Sequence, residues 1–120
     1  MGIPTPDSDN VGLCFFMEAF AMMIINIVRI MLMIDGKKSR DISGIAVGGA
    51  YAAFVMCLAP LTGACLNPAR SLGSLFILDQ VASNSQFIMA FAPFLGSYAG
   101  AMIYKKLLIS EELEDELEEL

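Results

Sequence analysis

Leu61-Thr62-Gly63-Ala64-Cys65-Leu66-Asn67-Pro68-Ala69-Arg70-Ser71 is the stretch on which the reading of this chain turns. Residues 62–78 are too apolar for a surface loop and too few to cross a bilayer. Asn67 can cap a helix that begins at Pro68. Its side-chain oxygen accepts from the first free N–H groups, and a proline at the first helical position lacks only an N–H that would have no partner anyway. A helix over 68–78 would run about 16 Å at ~1.5 Å per residue, half of a membrane. Residues 62–66 must then descend without helical structure. Such backbone is tolerated at membrane depth only inside protein or along a water-filled cavity. The pattern predicts a re-entrant half-helix beside a polar path.

The flanking sequence supplies the membrane. The chain has 120 residues, 57% of them hydrophobic, above the share of an ordinary soluble domain. Apolar stretches at residues 11–34, 42–61 and 87–108 each approach the ~20 helical residues that span the hydrocarbon core. A soluble bundle is the alternative, but its helices normally keep a charged stripe, and residues 42–61 contain no charged residue. The expected fold is an all-α membrane protein with three transmembrane helices plus one re-entrant half-helix, the re-entrant segment covering 62–78. Residues 1–10 are expected outside the membrane, 11–108 form the membrane domain and 109–120 an acidic tail.

Charge distribution sets the expected orientation. Lys37, Lys38 and Arg40 lie between the first two spans and Lys105 with Lys106 closes the third. Both clusters belong on the cytoplasmic side, which puts residues 1–10 outside and the C-terminus in the cytoplasm. The net charge of −6 is concentrated in the tail from Glu111 to Glu119. Leu113, Leu117 and Leu120 could share a helix face there, but the carboxylates repel one another and an anionic lipid surface. A solvated tail and a partner-binding helix are both open readings. Residues 1–10 have prolines and acids where a secretory leader has a basic region, so no cleavable leader is expected, and Pro6 breaks the myristoylation pattern.

The same composition removes several function classes. No basic cluster suits nucleic acid, and the chain has no histidine, which eliminates a histidine metal site or acid–base relay. Cys14, Cys57 and Cys65 lack ligand spacing and read as small apolar residues. No enzymatic activity, cofactor or metal is expected. Gly44 with Gly48 and Gly96 with Gly100 recur at the small-xxx-small spacing that lets helices approach closely.

The chemistry that remains belongs to a channel. An N-capping Asn67 uses its oxygen and keeps its NH₂ as a donor for a passing water or hydroxyl. The start of the half-helix presents a positive dipole end near the midplane, and Arg70 adds a full charge, so cations and protons meet a barrier that neutral solutes do not. An arginine at this depth needs a carbonyl cage or a watery cavity.

Ser43-Gly44-Ile45-Ala46-Val47-Gly48-Gly49-Ala50-Tyr51-Ala52-Ala53-Phe54, followed by the Asn67-Pro68-Ala69 box and a last span with Pro93 and Gly96, resembles the second half of the aquaporin (major intrinsic protein) family. The resemblance covers about residues 15–108. It implies that Asn67 is the pore asparagine, Arg70 the constriction arginine, and Glu18 the buried glutamate that holds the re-entrant loop. Glu18 also admits a reading as a membrane-edge residue, being seven residues into its span. By the same resemblance Val55 stands where water-selective members usually have a filter histidine, and Ala64 is the loop position of that filter. Val55, Ala64 and Arg70 together are similar to the nodulin-like branch, whose members pass glycerol and other small neutral solutes as well as water. Ser71 points the other way, since glycerol facilitators typically have an aspartate there. Cys65 replaces a usual Gly or Ser; if it faced the path, a bulky thiol reagent would slow permeation. Asn26 and Arg29 stand within the first span where apolar residues are expected, and Arg29 is expected to snorkel toward the cytoplasmic interface without a pore role.

Folds of this kind are inverted repeats, each contributing three spans and one half-helix. One repeat is present, and no second Asn-Pro pair occurs. The expected partners are therefore a complementary N-terminal half-channel, the lipid bilayer, permeating water and small neutral solutes, and, by family resemblance, a tetramer. A non-conducting truncated or regulatory membrane subunit is the alternative.

Overall fold

The computed structural model describes residues 10–35, 40–77 and 84–107. The expectations for Lys37, Lys38, Leu78, Leu108 and the acidic tail lie outside the described residues. All regular structure among the described residues is helical: α1 (Val11–Ile30), α2 (Arg40–Thr62), α3 (Pro68–Ile77) and α4 (Asn84–Leu107). One turn of π-helix, Met31–Asp35, continues α1. Two of these, Val11–Met33 and Asp41–Thr62, are long and apolar enough to cross a membrane. α4 has 24 residues, about 36 Å at ~1.5 Å per residue, while the 10 residues of α3 reach less than half as far.

The seam between α1 and α4 explains two of the glycines. A Cβ on Gly96 would lie 2.0 Å from the Ala19 carbonyl oxygen, and one on Gly100 2.6 Å from that of Met23. Only glycine fits at such an approach. The partners advance together by one turn, 19 to 23 against 96 to 100, so α1 and α4 run in the same direction. Asn26 joins the seam by donating from Nδ2 to the Ser97 carbonyl at 2.8 Å, which accounts for an amide in an apolar span. Gly44 and Gly48 on α2 differ, since a Cβ on either meets nothing within 4 Å. The expectation of close packing therefore applies within this chain to Gly96 and Gly100 and not to the α2 pair.

The core lies where α1, α2 and the descending loop meet. Ala21, Met22, Ile25, Leu58, Ala64 and Leu66 form its buried cluster, with Met17, Tyr51, Phe54 and Val55 packed against it. The loop residues Ala64 and Leu66 are part of the core, which ties the start of α3 to the packing of the long helices.

Candidate pore-lining site

The descent begins with a left-handed helix cap. α2 ends at Thr62, Gly63 adopts φ 77°, and its N–H bonds the Ala59 carbonyl at 3.2 Å. This is the single-bond αL termination that glycine favours. Ala64 and Leu66 also take left-handed conformations, with φ 46° and 45°, each costing about 1–2 kcal/mol for a residue with a Cβ. Such strain persists only where surrounding contacts hold it.

Glu18 and Thr62 are those contacts. The Ala64 N–H donates to Thr62 Oγ1 at 3.1 Å, the Cys65 N–H to Glu18 Oε1 at 2.7 Å, and the Leu66 N–H to Glu18 Oε2 at 2.7 Å. The Thr62 hydroxyl itself donates to Glu18 Oε1. Four successive loop N–H groups, from Gly63 to Leu66, therefore have acceptors. This complete pairing is what non-helical backbone needs at membrane depth. Glu18 is 0% exposed, so its position is interior and not at a membrane edge.

The loop ends at a helix start built as the local chemistry dictates. Asn67 Oδ1 accepts the Ala69 N–H at 2.9 Å, and the Asn67 carbonyl accepts from the N–H groups of Arg70 and Ser71 at 3.1 and 3.2 Å. Pro68 opens α3. Asn67, Ala69 and Arg70 are exposed and Pro68 half-buried, so the capped start faces space that this chain does not fill. With Oδ1 engaged, the Asn67 NH₂ has no bonding partner among the described residues.

Arg70 turns back across the loop. Its Nη1 donates to the Ala64 carbonyl at 2.8 Å, a first element of a carbonyl cage. Ala64 thus meets Arg70 through its backbone oxygen, while its side chain belongs to the core. Val55 packs with Tyr51 and Phe54 against that core.

Cys65 and Ser71 are both buried. Cys65 is 0% exposed; its Sγ contacts the buried Ser71 hydroxyl and donates to the Asn67 carbonyl at 3.3 Å. The path-facing alternative for Cys65 is accordingly corrected: the thiol is enclosed between the loop and the first turn of α3.

A cavity of about 310 Å³ opens beneath the start of α3, lined by Met22, Arg29, Tyr51, Leu66, Asn67, Pro68, Pro93, Phe94 and Ser97. It brings Asn67 and Pro68 together with Arg29, to which the sequence assigned no pore role, and with Tyr51 and Ser97, which it did not single out. A charged residue interrupting an apolar span was the available signal for Arg29. Tyr51 gave none beyond a hydroxyl within an apolar helix.

Comparison with known proteins places these features in a family. The model described as "Major intrinsic protein" matches residues 3–104. The chain is similar to Aquaporin NIP4-1 of Oryza sativa subsp. japonica, at 30% identity over 82% of this chain and 34% of that protein. It is similar to Nodulin-26 of Glycine max at 36% identity, over 75% of this chain and 31% of that protein. For Aquaporin Z of Rhodopseudomonas palustris the identity is 31%, over 88% of this chain and 44% of that protein. The chain spans about a third of the length of most of these relatives. No solved structure matches it significantly.

Proposed function

The chain belongs to the major intrinsic protein family, and from that premise we propose that it forms the C-terminal half of a passive channel for water and small neutral solutes such as glycerol. Members of the family are channels, not enzymes, and the chain is an integral membrane protein. In this reading α1, α2 and α4 span the bilayer, α3 is the re-entrant half-helix, and the C-terminus is cytoplasmic. A complementary N-terminal half supplies the facing wall and a second half-helix, and complete channels assemble as tetramers.

The observation that supports this most is the exposed start of α3. Asn67 and Arg70 face space the chain leaves open, while Glu18 secures the strained loop behind them. The uncovered glycines of α2 offer further surface against which the complementary half can pack. Asn67 orients a permeating molecule through its NH₂. The partial positive charge at the α3 N-terminus and the guanidinium of Arg70 oppose cations. Val55 leaves a wider and less polar constriction than a histidine at its position would, with Ala64 contributing its carbonyl to Arg70, which favours passage of glycerol as well as water. The nodulin-like relatives are consistent with that breadth.

Vesicles holding this chain together with an N-terminal half from a relative test the proposal. They should swell faster than empty vesicles in both osmotic and glycerol gradients, and Arg70→Ala should weaken cation exclusion. Swelling equal to that of empty vesicles, with both halves inserted and folded, would leave the chain a non-conducting subunit.

A further inference from the structure

Arg29 stands at the last turn of α1, eleven residues beyond Glu18, or about 16 Å along the helix at ~1.5 Å per residue. It lines the cavity beneath the start of α3 and has no hydrogen-bond or ion-pair partner among the described residues. The two arginines near the path differ in this respect: Arg70 donates to the Ala64 carbonyl, whereas the guanidinium of Arg29 bonds to none of the described residues. Both oxygens of Glu18 are occupied by Thr62, Cys65 and Leu66.

A guanidinium at the end of a membrane span, exposed as that of Arg29 is, is stabilised by water or an anion. The cavity provides room, its volume of about 310 Å³ being many times what one water needs. Its other polar residues are neutral: the Tyr51 hydroxyl, the Ser97 hydroxyl and the Asn67 amide, all able to donate. Arginine presents a planar fork of N–H donors that matches two oxygens of one small oxyanion.

We propose that this cavity is a binding site for small planar oxyanions, of the nitrate or carboxylate class, held by Arg29 and assisted by Tyr51 and Asn67. The inference rests on the channel reading only for its biological consequence, an occupant in the inner vestibule that retards neutral-solute flux. The binding itself does not depend on conduction.

Lipid phosphates carry the same chemistry, so the experiment separates the two sources. The full chain, labelled with ¹⁵N, is placed in nanodiscs of phosphatidylcholine with or without phosphatidylglycerol, and the Arg29 Nε–H resonance is followed while nitrate or formate replaces chloride at constant ionic strength. The expected result is a saturable shift in both lipids, kept in Arg70→Gln. Arg29→Lys, which retains the charge but not the fork, should bind roughly tenfold more weakly, read from the side-chain NH₂ resonances of Asn67, which lines the same cavity and is kept in the variant. Absence of a saturable shift in phosphatidylcholine, or a response to phosphatidylglycerol alone, overturns the proposal. Because no flux is measured, a chain that binds nitrate but does not conduct contradicts only the channel reading. One that conducts without binding nitrate contradicts only this site.

Discussion

Glu18 accepts the backbone N–H of Cys65 at 2.7 Å across 47 residues of sequence, with its second oxygen taking the next N–H, that of Leu66. The carboxyl group thus acts as a two-toothed acceptor for a segment of backbone that has no helix or strand to satisfy it. The distinction between a glutamate and its amide follows directly. Glu18→Gln replaces one acceptor oxygen by an NH₂ that faces a backbone donor, and each orphaned buried donor costs about 1–3 kcal/mol. The variant should lose thermal stability and expose the loop to proteolysis between α2 and α3. A Glu18→Gln protein with wild-type melting and protease resistance would show that the clamp contributes nothing.

The α1–α4 seam predicts a graded response to added methyl groups. Gly96→Ala should destabilise strongly, because its Cβ would meet the Ala19 carbonyl at 2.0 Å, and Gly100→Ala less so, at 2.6 Å from that of Met23. Gly44→Ala on the open face of α2 should be neutral or stabilising by up to about 1 kcal/mol, the helix-propensity gain of alanine over glycine. Thermal unfolding in one detergent ranks the three. Equal effects at Gly44 and Gly96 would remove the seam as the reason for the glycines.

Thiol accessibility separates the cysteines. Cys57 is exposed, whereas Cys14 and Cys65 are buried. In the folded, detergent-solubilised chain an apolar maleimide should modify Cys57 and spare the other two, which become reactive on unfolding. Rapid labelling of Cys65 in the native chain would contradict its enclosure against Ser71.

The start of α3 was legible because its chemistry is local. Asn67 caps and Pro68 begins a helix within two residues of each other, and neither needs tertiary information. Glu18 was connected to the loop only through family resemblance, since no local pattern reaches across to Cys65 and Leu66. The role of Thr62 was also hidden: the sequence reading made it the first residue of the non-helical descent, yet it closes α2 and its hydroxyl links Glu18 to the Ala64 N–H. Equal glycine spacing on α2 and α4 concealed unequal surroundings, because spacing describes one helix and close approach requires two. The cavity that Arg29 lines was hidden for the same reason, since it exists only once α1, α2, α4 and the loop pack together.

The most direct measurement of the central claim, that the start of α3 lines the conducting path, uses Asn67→Asp in vesicles containing both channel halves. Aspartate keeps the oxygen that caps α3 and removes the NH₂ donor while adding negative charge at the dipole end. Swelling and monovalent-cation leak are recorded on the same preparation, normalised to folded protein. The predicted result is a change in water flux of at least about threefold, near 0.65 kcal/mol, together with a measurable cation leak. Unchanged swelling and continued cation exclusion would contradict a pore-lining Asn67.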